Sequence, residues 1–138
     1  MTPSTAKGKR GAVTITLPWP ITLNHYRTPI ARRFKNKWVG RLITSPKGRK
    51  YKQLVIDTIR EQGVPSIKGP VVVTERFYCK TNARYDIDNY RKPMRDGIVK
   101  AGVIQDDYLI YEDRGIKCPK DKDNPRVEIT IEPMEGAA

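Results

Sequence analysis

The chain has 138 residues, a length that suits one domain because two independent hydrophobic cores are hard to build from so short a sequence. Hydrophobic residues make up 38% and charged residues 30%, which indicates a globular protein and excludes an intrinsically disordered chain. The 27 Lys and Arg outnumber the 15 Asp and Glu, and the formal net charge of +12 favours a polyanionic partner, nucleic acid first, without separating binding from cleavage.

The two ends of the chain lack the features of a folded segment. Residues 1–11 indicate a flexible basic tail and residues 134–138 a short C-terminal tail, which leaves one domain over residues 12–133. The first tail has no apolar signal core, and no apolar run approaches the ~20 residues needed to span a bilayer. We therefore expect a cytoplasmic protein with no membrane partner, in which Cys79 and Cys118 are reduced.

A strand and a hairpin are predicted to begin the domain. Residues 13–17 alternate apolar and polar side chains, as a half-buried strand does, and Pro18 ends the pattern. Residues 24–29 and 38–44 are expected to pair as a hairpin. The segment between them is basic and contains Arg32, Arg33, Lys35 and Lys37.

A helix is predicted to follow the hairpin. Ser45 is a typical N-cap, Pro46 a typical first helical residue, and Gly63 a typical terminator. Helical spacing places four apolar side chains on one stripe, which is expected to face the core: Tyr51, Leu54, Val55 and Ile59.

The second half of the domain is predicted to contain a strand, a helix and two more strands. Asp88 or Asn89 is a suitable N-cap for the helix, whereas Pro93 is awkward because it removes a backbone donor. This order predicts an α+β fold, a single small domain in which two main helices pack on one face of a mixed β-sheet. The four elements are expected over residues 71–78, 90–101, 109–117 and 126–131.

Acidic residues interrupt the basic sequence at two places. Asp86 and Asp88 are two residues apart, so on an extended segment they would project to the same side and converge on one cation. Asp106 or Asp107 supplies a third carboxylate if the chain turns back after the helix. Carboxylate oxygens within a basic stretch suit Mg²⁺ beside a phosphate. The alternative interpretation is that Asp86 and Asp88 only lie at a helix N-terminus among solvated neighbours.

The sequence around these residues resembles the RusA-type Holliday-junction resolvases. Most of the domain is covered by the resemblance, which departs from the family pattern at Ile21 and Pro93. The matching motifs are Leu17-Pro18-Trp19-Pro20, Asn24, Tyr26-Arg27, Asp86-Ile87-Asp88-Asn89, Lys92, Lys100-Ala101-Gly102 and Asp106-Asp107.

The resemblance implies a RusA-like fold and a homodimer that resolves four-way DNA junctions during recombination and repair. It implies Mg²⁺-dependent hydrolysis, with Mn²⁺ as an alternative ion, and paired symmetric nicks that leave 5′-phosphate and 3′-hydroxyl ends. It suggests Asp86, Asp88 and Asp107 as metal ligands and Lys92 as the catalytic cation, and a phage or prophage origin is plausible. The residues interpreted as DNA contacts are Lys80, Arg84, Asn89, Arg91, Lys92, Arg27 and Lys35.

Two other functions compete with this one. The first is a non-catalytic basic module that binds nucleic acid, and the second is a nuclease that prefers flaps or forks. Asp96 is interpreted as a helix-surface residue that pairs with Lys92 or Lys100. Trp19 and Trp38 are interpreted as core or dimer contacts rather than side chains that stack on bases.

Overall fold

The computed structural model describes residues 11–134, and the predicted tails lie outside this range except for Gly11 and Met134. Within it, no helix is both long and apolar enough to cross a membrane. A 3₁₀ turn, Asp107–Leu109, precedes the fifth strand. The elements in chain order are β1 (Val13–Pro18), α1 (Leu23–Tyr26), β2 (Arg27–Phe34), β3 (Lys37–Thr44), α2 (Pro46–Gln62), β4 (Val71–Tyr78), α3 (Asp88–Lys100), β5 (Ile110–Lys117) and β6 (Arg126–Pro133).

Four strands form one sheet in the order β1-β6-β4-β5. The β4–β5 pair is parallel and the other pairs are antiparallel, so the sheet is mixed. Alternate residues of β1, β4 and β6 point to the face covered by α2 and α3, where the hydrophobic core lies. The predicted α+β arrangement is therefore confirmed. Core side chains from the three strands include Val13, Ile15, Leu17, Val71, Val73, Phe77, Val127, Ile129 and Ile131.

Helix α2 begins and ends where the sequence predicts. The Ser45 hydroxyl accepts the backbone N–H of Gly48 at 2.9 Å, and Gly63 closes the helix in a left-handed conformation with φ 64°. The predicted apolar stripe is wrong at one position, because Leu54 is 46% exposed while Ile56 is buried. Leu54 therefore lies outside the part of the helix surface that faces the core.

Helix α3 differs from the prediction at its first turn. Asp88 is the first helical residue and Ile87 occupies the N-cap position, so neither Asp88 nor Asn89 is the N-cap as predicted. Ile87 makes no capping hydrogen bond with its side chain. Pro93 is accommodated inside the helix and is buried. Farther along, Gly97 lets α3 approach α2 closely, since a Cβ at this position would lie 2.5 Å from Cγ1 of Val55.

The two strands of the hairpin are longer than predicted, and they contain all of its basic residues except Lys35. Strand β2 starts at Arg27, because residues 23–26 form α1, and the turn contains only Lys35 and Asn36. Both turn residues have positive φ, 50° and 63°, which is the conformation that two-residue hairpin turns require and that Asn tolerates. The hairpin forms its own two-stranded sheet, separate from the main one.

Candidate active site

The loop between β4 and α3 places Asp86 and Asp88 at an exposed corner of the molecule. Oδ1 of Asp86 accepts the backbone N–H of Asp88 at 3.0 Å and so satisfies one of the free donors at the helix start. The Asp88 side chain is 77% exposed. Ile87 between them has helical angles, φ −54° and ψ −40°, so the segment does not have the extended conformation that the sequence predicted. Strand alternation therefore does not bring Asp86 and Asp88 to one side, and the hydrogen bond from the Asp88 backbone to Asp86 links them instead.

An aromatic cluster fixes the backbone on both sides of this corner. The ring centroid of Trp19 lies 5.3 Å from those of Tyr85 and Tyr90 and 6.0 Å from that of Phe77, all in edge-on contacts. Tyr85 directly precedes Asp86, and Tyr90 lies in the first turn of α3. Trp19 packs against the hydrophobic core, which confirms its interpretation as a core contact.

Arg91 connects Asp88 to a buried carboxylate of the sheet. Its Nη1 is 2.6 Å from Oδ1 of Asp88, and its Nε donates to Oε1 of Glu75 at 2.9 Å. Glu75 is 1% exposed and occupies an inward position of β4 that sequence analysis missed. The sequence did offer a signal for this buried charge, because Glu75 falls within the series of inward-facing positions 71, 73, 75 and 77. Arg91 therefore lies between carboxylates, although it is also one of the residues interpreted as a DNA contact.

Arg95 and Asp113 complete this network around the buried Glu75. Arg95 forms an ion pair with Asp113 and lies 3.6 Å from Oε2 of Glu75. Burial raises the pKa of Glu75, and the two arginines oppose this rise. Burial alone would lower the pKa of Arg91, but its carboxylate neighbours raise it, so the guanidinium stays charged. The network fixes the first two turns of α3 to the sheet.

A cleft of about 310 Å³ contains the remaining acidic residues of the predicted site. It brings the 3₁₀ turn before β5 together with α2 and α3, so Asp106 and Asp107 lie in the same cleft as Lys92. Asp86 and Asp88, although described in the structure, are not among its lining residues. The lining consists of Lys52, Lys92, Asp96, Val99, Lys100, Asp106 and Asp107.

Lys92 is paired with Asp96 in the cleft, and Asp96 in turn is bonded to Tyr26. Oδ1 of Asp96 lies 2.7 Å from the Lys92 ammonium, which confirms the predicted ion pair. The hydroxyl of Tyr26, which is 1% exposed, donates to Oδ2 of Asp96 at 2.6 Å. Burial, together with Asp96, raises the pKa of Tyr26, so the hydroxyl remains a donor. No local pattern reveals this contact, since the two residues are 70 positions apart.

Apart from Arg91 and Lys92, which are described above, the residues interpreted as DNA contacts fall into two groups. Lys80, Arg84 and Asn89 are exposed in the loop and helical turn around Asp86 and Asp88. Arg27 and Lys35 lie on the β2–β3 hairpin, the first at its base and the second in its turn. Lys117 was not predicted as a site residue. Its ammonium lies beside the first group, 4.5 Å from the Tyr85 ring centroid.

The donor chemistry of the three predicted ligands fits a hard divalent cation, because each offers carboxylate oxygens and each is exposed to solvent. Their grouping is looser than a preformed metal centre. Over residues 11–134, no three His, Cys, Asp or Glu side chains are close enough together to hold a metal ion. Asp86 and Asp88 share one corner, and Asp107 lies in the Lys92 cleft.

The comparisons with known proteins all indicate the same family. The family model described as endodeoxyribonuclease RusA matches residues 26–132. A crossover junction endodeoxyribonuclease RusA of Escherichia coli K12 is 31% identical over 121 residues, which cover 87% of this chain and 93% of the relative. The same identity and coverage are found with the protein of that name from Enterobacteria phage 82. The protein from E. coli O139:H28 is 31% identical over 118 residues, or 85% of this chain and 91% of the relative.

Proposed function

Because the chain belongs to the RusA family of endodeoxyribonucleases, we propose that it resolves four-way DNA junctions as a Mg²⁺-dependent homodimer, with Mn²⁺ as an alternative ion. The products are paired symmetric nicks with 5′-phosphate and 3′-hydroxyl ends, formed during DNA recombination and repair. We place this activity in the cytoplasm of a bacterial or phage-infected cell, and the phage 82 relative supports a phage or prophage origin.

The observation that carries this proposal is the environment of Lys92. Its ammonium is fixed by Asp96 in the cleft that contains Asp106 and Asp107, and it lies one helical turn after the exposed Asp88. A fixed cation among accessible carboxylates, in a chain of net charge +12, suits attack on a phosphodiester. A module that only binds nucleic acid has no need of the carboxylates, which repel phosphate.

Asp86, Asp88 and Asp107 would hold the metal ion. When bound, such an ion polarises a phosphoryl oxygen and lowers the pKa of a coordinated water. Arg91 balances the charge of Asp88, and its bond to the buried Glu75 keeps the Asp88 carboxylate near the start of α3.

Lys92 would stabilise the charge that grows on the phosphate oxygens in the transition state. Asp96 and Tyr26 restrict the positions that its ammonium can adopt, so less reorganisation is needed when the substrate binds. Removing one such interaction typically lowers the rate by about a hundredfold or more.

A two-fold dimer would present two identical sites, which suits symmetric cutting of a four-armed substrate. Recognition would depend on the shape and backbone of the branch more than on base sequence, because phosphate contacts carry no direct sequence information.

The test is a cleavage assay on four-way, forked and linear DNA side by side, with Mg²⁺ and with a chelator. The variant Asp88→Asn should lose cleavage while its affinity for the junction in chelator survives. Asp123→Asn is the matched control, since Asp123 is an exposed acidic residue in the loop before β6.

Three outcomes would contradict the proposal. Wild-type cleavage by the Asp88→Asn variant would exclude this carboxylate as a ligand. Binding without cleavage by the wild-type protein in Mg²⁺ and Mn²⁺ would favour the non-catalytic module. Faster cleavage of forked than four-way DNA would favour the alternative substrate.

A further inference from the structure

The β2–β3 hairpin, residues 27–44, projects from the body of the protein and is called the basic arm below. Its two strands bond to each other and pack chiefly against α1. Every residue from Ala31 to Leu42 is exposed. Each strand has eight residues, which corresponds to a length of about 26 Å. An isolated two-stranded hairpin is only marginally stable in water, so a projecting one of this length suggests a binding partner.

The charge of the basic arm has a single sign. Its 18 residues contain six cations and no acidic residue, so it carries half of the net charge of +12. Among the residues that the structure describes, none of the six forms an ion pair with a carboxylate. An ordinary solvated surface mixes both signs. The six cations are Arg27, Arg32, Arg33, Lys35, Lys37 and Arg41.

The strand register places three of these cations on one face of the arm. Arg41 lies opposite Ile30, Arg32 opposite Val39, and Lys37 opposite Phe34. Residues directly opposite each other share a face of the ribbon, so Arg41, Arg32 and Lys37 follow one another along that face. Successive cations are two residues, or about 6.6 Å, apart along the ribbon. This spacing forms a row of positive charge rather than one isolated patch.

We propose that the basic arm lies along the phosphate backbone of one duplex branch of the DNA junction. The face that carries Arg32, Lys37 and Arg41 would lie against the phosphates. The inference rests on the proposed function and adds a second contact region separate from the Asp86–Asp88 corner. Contacts with phosphates orient the duplex and carry no direct sequence information.

The test is the salt dependence of junction binding, measured in chelator so that the DNA stays intact. The triple variant Arg32→Gln, Lys37→Gln, Arg41→Gln should bind more weakly at low salt. Its log–log slope against salt should be shallower by about 0.9 for each phosphate that the variant no longer neutralises, or about 2.7 for all three. The control Arg60→Gln, Lys68→Gln, Lys122→Gln removes the same charge from exposed positions elsewhere and should keep the wild-type slope.

The outcomes separate this inference from the proposed function. A triple variant with the slope of the control, made in a protein that still binds and cuts junctions, overturns the basic arm alone. A wild-type protein that binds no junction overturns both proposals. Sedimentation of each variant gives the third outcome: if the triple variant loses self-association, the arm contacts a second copy of the chain and the DNA assignment is wrong.

Discussion

Lys92 acquires a defined position from residues that are distant in sequence. Asp96 holds its ammonium at 2.7 Å, and Tyr26 donates to the other oxygen of the same carboxylate at 2.6 Å. A lysine on a helix surface otherwise samples many rotamers, and ordering such a side chain costs up to about 2 kcal/mol. The Tyr26–Asp96 pair meets this cost when the protein folds rather than when DNA binds.

Tyr26→Phe removes only the hydroxyl and should lower kcat roughly fivefold, which corresponds to about 1 kcal/mol for one hydrogen bond. The KM for junction DNA should change little, because the Lys92 charge remains. Single-turnover and steady-state cleavage rates would separate the two parameters. Tyr111→Phe is the control, since its side chain is exposed on β5. Equal effects of both variants, or a change in KM alone, would contradict a positioning role for Tyr26.

Glu75 should make stability depend on pH in a defined direction. Burial raises its pKa in the folded protein above the ~4.3 of an unfolded chain, so the folded state binds more protons between the two values. The free energy of unfolding then falls as pH rises through that window. The stability of the wild type relative to Glu75→Gln should therefore decrease as pH rises above ~4.3.

Denaturant unfolding at a series of pH values measures this difference. Glu61→Gln, at an exposed position of α2, should show no such trend. A relative stability that increases with pH would mean that Arg91 and Arg95 outweigh the burial of Glu75.

Among the structural elements, α2 and α3 pack closely against each other at Gly97. A Cβ there would lie 2.5 Å from Cγ1 of Val55, a distance that real side chains do not tolerate. Gly97→Ala should destabilise the protein by about 1–3 kcal/mol through overpacking. On an open helix surface the same change would stabilise by about 1 kcal/mol, so the sign identifies the contact.

Urea unfolding measures the effect, and a second substitution provides the control. Val55→Ala makes room for the new methyl group, so the double variant Gly97→Ala, Val55→Ala should lose less stability than the sum of the single changes. Strict additivity would contradict close packing of the two helices.

The elements that sequence analysis predicted best are those with local signals. Ser45 and Gly63 mark the ends of α2 by their own backbone chemistry, and both limits are confirmed. The limits of the hairpin strands next to the turn were wrong because the residues there are rich in Arg and Lys, a composition typical of loops. The start of β2 was wrong because residues 23–26 form α1. Leu54 was wrongly assigned to the core, because helical spacing defines an apolar stripe but does not show how much of that stripe the rest of the protein covers.

Sequence analysis could identify only those parts of the candidate site that lie within one continuous segment of the chain. Asp86, Asp88 and Lys92 lie within seven residues of one another, so a motif can reveal them. The contacts of Tyr26 with Asp96 and of Glu75 with Arg91 join separate elements, and only the folded arrangement reveals them. The relation of Asp107 to the first pair likewise depends on how the chain turns before β5.

At the scale of the whole molecule, the basic arm differs in charge from the two parts of the candidate active site. The basic arm contains six cations and no acid, while the Asp86–Asp88 corner and the Lys92 cleft combine cations with carboxylates. Under the proposed function, the basic arm would hold duplex DNA, and the corner and cleft would perform hydrolysis. Such a division would let a strongly basic protein bind a polyanion while keeping a site for a divalent cation.

The most direct measurement is anomalous diffraction from crystals of the protein grown with Mn²⁺ and four-way junction DNA. The account predicts a Mn²⁺ peak about 2.1 Å from carboxylate oxygens of Asp86, Asp88 and Asp107, with the Lys92 ammonium beside a phosphate of the DNA. A peak held by Asp96 or Asp106 without the Asp86–Asp88 pair would contradict it, as would an Asp107 side chain directed away from the ion.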